Sequence, residues 1–158
     1  RAHEGADEAL AQAARTCEKA GLAAQLAEAS ATRAVVLALD GRMGDGRRVA
    51  AEAEQLVAGR VQHPVGQAAT AEAIGVTAED TDAGVESLRR AVELWEGAGR
   101  PINAVRARLL LARALPPDEG AAELETAAAA ADRLEVPHLA LAARERPAPR
   151  EGSADGPR

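Results

Sequence analysis

The feature that most limits how this chain can fold is a recurrence. Gly84, Leu88, Ala91, Gly99 and Pro101 return 36 residues later as Gly120, Leu124, Ala127, Glu135 and Pro137. Boundaries at Leu22, Pro64 and Pro101 are spaced by a similar distance. A period of about 34 residues made of two helices and a turn means stacked hairpins, each of which can bury its apolar face only against its neighbours.

The helical reading is clearest from Asp82 to Leu115. Val85, Leu88, Ala91, Val92 and Trp95 recur at steps of three and four, while Glu86, Arg89, Arg90, Glu93 and Glu96 fall on the opposite side of the wheel. This predicts an amphipathic helix over 82–97, with Asp82 as N-cap or first-turn acid and Glu86 paired to Arg90 four residues on. Gly97 and Gly99 end it, and Pro101 can open the next helix, because a first-turn proline gives up an N–H that had no partner. Along 102–115 apolar side chains run almost all the way round, broken chiefly by Asn103, Arg106, Arg108 and Arg113. Such a helix needs neighbours on two sides.

Six further helices follow from the same signals. They are 7–19, with Leu10, Ala13, Ala14 and Cys17 on one face; 22–40, in which Leu26, Ala29, Arg33, Val36 and Leu37 mix packing with solvent; and 45–58, with Val49, Ala53, Leu56 and Val57 inward. Then come 64–76 around Ala68, Ala71, Ala73 and Ile74, an alanine-rich 118–134 and a brief 137–144. Residues 1–146 read as one domain of about eight helices. The final PAPREGSADGPR has no apolar periodicity, so 147–158 are expected to be a disordered tail or linker.

Composition sets the style of the core. Hydrophobic residues make up 47% of the chain, yet there is no Phe, no Tyr and a single Trp. Helices must therefore approach closely over alanine, and strand-favouring residues are too scarce for a sheet. The fold class expected is all-α.

Three pairs of a large apolar residue followed by a small one (Leu37-Ala38, Ile74-Gly75 and Leu111-Ala112) alternate with Asp7-Glu8-Ala9, Gly84-Leu88-Ala91 and Gly120-Leu124-Ala127. On these positions the chain resembles the tetratricopeptide repeats over roughly residues 5–144. The resemblance implies antiparallel helix hairpins stacked as an α-solenoid. More narrowly, VELWEGAGRPINAVRARLLLARAL looks like the degenerate repeats of large bacterial LuxR-type regulators and signalling ATPases. The family's aromatic positions are nearly all Ala, Val or Arg here, and Pro116-Pro117 shortens one turn.

No chemistry-bearing motif stands out. There is no Gly-rich phosphate loop ending in GK[ST], no HExxH, no CxxC and no GxSxG. His3, His63 and His138 are scattered and read as turn or surface residues, since metal sites need clustered ligands. Asp80 and Asp82 fail as a calcium loop, because Gly84 and Ala91 stand where oxygen donors are needed. Trp95 reads as core, and Cys17 as a small buried hydrophobe. One thiol forms no internal disulfide, which suits a reducing cytoplasm.

A net charge of −6 and a pI near 5.2 argue against nucleic acid as the partner of this segment. No apolar run approaches the ~20 residues of a membrane span. Residues 89–113 depart from the acidic average: Arg89, Arg90, Arg100, Arg106, Arg108 and Arg113 face only Glu93 and Glu96. Arg106 and Arg113, seven residues apart, share one line of their helix. They either pair with acids of adjacent helices or anchor an acidic peptide or domain.

The functional expectation is a non-catalytic protein-interaction or sensor segment of a larger cytoplasmic regulator, without cofactor or metal. It would contact a protein or peptide, or neighbouring domains, through Arg106 and Arg113. The chain begins at Arg1 already close to a helical pattern, which suggests a piece of a longer polypeptide. A regulatory module of an enzyme such as a cyclase or signalling ATPase, and a purely structural bundle, are the alternatives.

Overall fold

Glycines and prolines divide the chain where the sequence places them. The computed structural model describes residues 4–60 and 63–145, and its elements are eight helices joined by short turns: α1 (Glu4–Lys19), α2 (Ala23–Leu39), α3 (Met43–Arg60), α4 (Pro64–Thr77), α5 (Thr81–Gly97), α6 (Pro101–Ala114), α7 (Pro117–Arg133) and α8 (Pro137–Arg144). Prolines open α4, α6, α7 and α8. The expected tail at 147–158 lies outside the described residues, as does His3.

Four helix ends share one hydrogen-bond pattern. After α1, α2, α5 and α7 the chain turns through a left-handed residue at Gly21, Gly41, Gly99 and Glu135. The next N–H then reaches five residues back: Leu22 to Cys17, Arg42 to Leu37, Arg100 to Trp95 and Val136 to Ala131, at 2.9 to 3.0 Å. These bonds satisfy carbonyls that the last helical turn leaves without partners.

Each helix packs on the next, so consecutive helices form an array of antiparallel hairpins. α2 also packs against α4, and α6 touches α8. The hairpins close where the second helix presents a glycine to the backbone of the first. A Cβ added to Gly46 would stand 3.0 Å from the Ala34 carbonyl oxygen, one on Gly84 3.0 Å from that of Gly75, and one on Gly120 2.5 Å from that of Ala112. These contacts hold α2 on α3, α4 on α5 and α6 on α7. Gly46, Ala50 and Ala53 thus form a third copy of the glycine-led pattern, one that inspection of the sequence missed.

The core is built mainly from alanine. Ala27, Ala31, Ala34, Ala53, Ala68, Ala73, Ala91, Ala107, Ala127 and Ala131 are wholly buried. Leu37, Leu88, Leu111 and Trp95 provide most of the large buried surface, each contributing about 2 kcal/mol by burial. Two apolar clusters result: a larger one spanning α2–α6, and a smaller one in which Val105 and Leu109 of α6 join α7 and α8.

The structure refines several local expectations and corrects others. In α2 the buried stripe is Ala27, Ala31, Ala34, Val35 and Leu37, while Leu26, Ala29 and Val36 are only half-buried. The small residues take the close contacts with α3 and α4, which leaves the larger ones at the flanks. Ala13 of α1 is exposed and Cys17 half-buried, because α1 packs against α2 with no helix before it in the described chain. The N-cap of α5 is Asp80, whose Oδ1 accepts from the Ala83 N–H at 2.9 Å, and Asp82 is a first-turn acid. Arg90 bonds to Glu93 at 3.3 Å rather than to Glu86.

Candidate interaction surface

Both arginines singled out from the sequence lie on α6, and the structure gives them different surroundings. Arg106 faces α4. Its Nε donates to Oε1 of Glu72 at 3.0 Å and its Nη2 to Oε2 at 3.1 Å. Glu72 is 1% exposed and is the sole charged residue of α4. Its Oε2 also accepts from the Trp95 indole N–H at 2.8 Å. One buried carboxylate is therefore held by α4, α5 and α6 together. An unpaired charge in such a position is costly, and the forked guanidinium with a third donor satisfies its oxygens. Of the two readings the sequence leaves open for Arg106, its Nε and Nη2 take the pairing with an acid of an adjacent helix, while its side chain keeps 40% exposure.

Arg113 is exposed and makes no ion pair among the described residues. It stands on the rim of an open groove of about 410 Å³ that crosses the C-terminal ends of α2, α4 and α6. Leu39, Met43, Val76 and Leu110 contribute apolar surface, and Leu39 keeps 49% exposure. Two acids, Glu79 and Asp80, also line it. Neither is free, since Glu79 pairs with Arg47 and Asp80 caps α5. The N-cap bond leaves Asp80 its negative charge, and Arg113 is the one cationic side chain among the residues that line the groove.

Most of the remaining arginines have partners. Arg89 reaches Glu119 at 3.2 Å, and Arg108 lies between Glu96 and Glu123, both at 2.8 Å. Burial opposes the Arg108 charge, but the hydrogen bonds to these two carboxylates outweigh it, so its pKa is raised above the usual arginine value. At the other end of the array Asp7 bonds to Arg33 at 2.6 Å and Arg42 at 2.8 Å. The bond from Arg33 is the main reason that the Asp7 carboxyl is held below the ordinary carboxylate range.

Further openings lie among the described residues. One of about 440 Å³ lies among α1, α2 and α3, around Ala14, Leu26 and Leu56. Another, about 400 Å³, lies by the start of α6 and the end of α7, around Pro101, Val105 and Leu134. Among the described residues no three His, Cys, Asp or Glu side chains are grouped so as to hold a metal ion. His63 and His138 are exposed at helix starts. None of the described helices is long and apolar enough to cross a membrane.

Glu72 was missed from the sequence, although a signal existed. A buried Trp needs an acceptor for its N–H, and the one charged residue of the apolar α4 was available to be that acceptor.

No protein-family model matches this chain, and neither curated proteins nor solved structures give a significant match.

Proposed function

We propose that this chain is a protein-interaction or sensor segment of a larger cytoplasmic regulator and that it acts by binding, without catalysis of its own. The observation that carries the reading is Arg113, an exposed guanidinium without an ion pair among the described residues, on the rim of a groove framed by three successive hairpins. A partner segment with an apolar side chain next to an acid matches that arrangement. The apolar part would lie against Leu39, Met43 and Val76, and the carboxylate would meet a guanidinium suited to it by shape and charge. Arg106 lies on the same line of α6 and contributes at most its outer, solvent-facing edge.

The resemblance to tetratricopeptide repeats supports the same reading, since stacked hairpins offer extended surfaces to other chains. The glycine-closed hairpins agree with it in architecture. In a regulator of the LuxR or signalling-ATPase kind, the partner could equally be a neighbouring domain of the same polypeptide.

The test is affinity capture with the parent polypeptide, comparing the native chain with Arg113→Glu. Proteins retained by the first and lost by the second, at equal helix content, support the proposal. An identical set of retained proteins counts against it. Because exposed interfacial charges act chiefly through steering, the retained complexes should also weaken as salt is raised.

A further inference from the structure

The spacing between hairpins is uneven along the array. α2 and α4 lie in close backbone contact and α6 touches α8, but α4 and α6 have no comparable approach. α6 is held at that step by its packing on α5 and by a pair of side chains that reaches across to α4, the Arg106 guanidinium and the Glu72 carboxylate. The apolar core changes at the same place. Ala104, Ala107 and Leu111 of α6 belong with α2–α5, while Val105 and Leu109 on the same helix belong with α7 and α8. Of the α6 side chains on the first face, Ala104, Ala107 and Ala114 are alanines, beside Leu110 and Leu111. Small side chains make a shallow contact with few interlocking ridges, which resists sliding less than a deeply interdigitated one.

We propose that the step from α4 to α6 is a hinge in the array, latched by Arg106 on Glu72, about which α6–α8 swing as one unit against α2–α5. The latch is asymmetric. Glu72 is sealed in the core, whereas Arg106 is 40% exposed and can be reached from solvent. A carboxylate arriving from outside that takes the Nε and Nη2 donors leaves Glu72 without its cation, and the hinge must then open to hydrate it. Binding at α6 and the opening of the array become coupled, because a ligand shifts such an equilibrium by its difference in affinity for the two states. Trp95 reports on the latch directly: it is the single tryptophan, and its indole N–H shares the Glu72 carboxylate.

The hinge can be tested in the whole chain, in a Cys17→Ser background, with spin labels at the exposed positions of Glu54→Cys on α3 and Ala129→Cys on α7. A single narrow distance distribution is expected with the latch intact. Arg106→Gln should broaden and lengthen it while helix content is retained. Amide exchange in α6–α8 should then speed up by about a hundredfold relative to α2–α5, the scale of losing one partner of a buried ion pair. Quenching of Trp95 by acrylamide should rise in parallel. A lowered melting temperature with an unchanged distance distribution and uniform exchange would overturn the hinge and leave the pair as a plain core cross-link. Should Arg106→Gln fail to fold, exchange of the unaltered chain in low denaturant decides. Opening of α6–α8 as a separate, easier step supports the proposal, and one common opening for the whole array refutes it.

Discussion

The indole N–H of Trp95 donates to the carboxylate of Glu72 across 23 residues of sequence, at 2.8 Å, and both side chains are within 1% of complete burial. The contact joins the two helices of the central hairpin. Arg106 extends it to the next hairpin.

Removing Glu72 should therefore cost more than its lost packing. Glu72→Ala would strand the Arg106 charge and the Trp95 N–H, and the expected loss is about 3 kcal/mol, near the low end for a broken buried pair because Arg106 is partly hydrated. Glu72→Gln keeps an acceptor for the indole and should cost less. Replacing both partners, as Glu72→Leu with Arg106→Met, should recover part of the stability, since an apolar pair of similar volume removes both charges' desolvation costs and leaves only the Trp95 N–H without its acceptor. Urea denaturation followed by Trp95 emission measures all three. A double variant less stable than Glu72→Ala would show that the ion pair contributes more than its desolvation costs.

The glycine crossings divide substitutions by sign. A Cβ on Gly75 would lie 2.6 Å from Leu88 Cγ and 2.9 Å from the Gly84 carbonyl oxygen, and one on Gly120 2.5 Å from that of Ala112. Gly75→Ala and Gly120→Ala must push the paired helices apart and should destabilise by about 1–3 kcal/mol, the usual cost of overpacking. Gly97 ends α5 with nothing within 4 Å of the added atom. Gly97→Ala should stabilise by about 0.5 kcal/mol through the unfolded chain. Thermal melts of the three variants check the contrast; a neutral Gly120→Ala would mean that α7 shifts on α6 without strain.

The boundaries of the helices were legible because their causes are local. Glycine at 21, 41 and 99 and proline at 64, 101 and 137 act within a turn or two of where they sit. The recurrence of Gly84 and Gly120 was legible too, although Gly46 was passed over because Ala50 stands where its counterparts have leucine. The partners of the arginines were not legible, since Arg106 and Glu72 are separated by 34 residues and meet only once α4, α5 and α6 have packed. The alanine stripe of α2 was not legible for a related reason. Where helices approach over alanine, burial follows the smallest side chains, and hydrophobic periodicity weights the largest.

Glu135 marks a strain that the array tolerates. It occupies the left-handed position after α7, with φ of 55°, where the equivalent turns carry Gly21, Gly41 and Gly99. For a residue with a Cβ this conformation costs about 1 kcal/mol, and Glu135 is exposed, with no ion pair among the described residues to offset it. Glu135→Gly should raise stability by about that amount or somewhat less, because added glycine also loosens the unfolded chain. A rise in melting temperature carries the expected sign. A fall would mean that the carboxylate or its stem makes a contribution larger than the strain.

At the opposite end of the array, α1 is tied to the rest partly by charge. Asp7 accepts from Arg33 on α2 and from Arg42 in the turn after it, and its carboxyl is held below the usual value of about 3.9. A carboxylate with a depressed folded-state pKa contributes stability above its unfolded pKa, and that contribution fades as pH falls through the folded value. Between pH 7 and about 5 it should be constant, and it should disappear progressively below about 4. The native chain should therefore melt above Asp7→Asn at neutral pH, with the two curves converging as acid is added. Amide exchange in α1 should show the loss first, since α1 packs against α2 without a second neighbour. Salt should shrink the neutral-pH difference, because Asp7 and Arg42 are partly solvated and exposed pairs are screened. A difference between the two chains that did not change from neutral to acid would place the contribution of Asp7 in packing rather than in its charge.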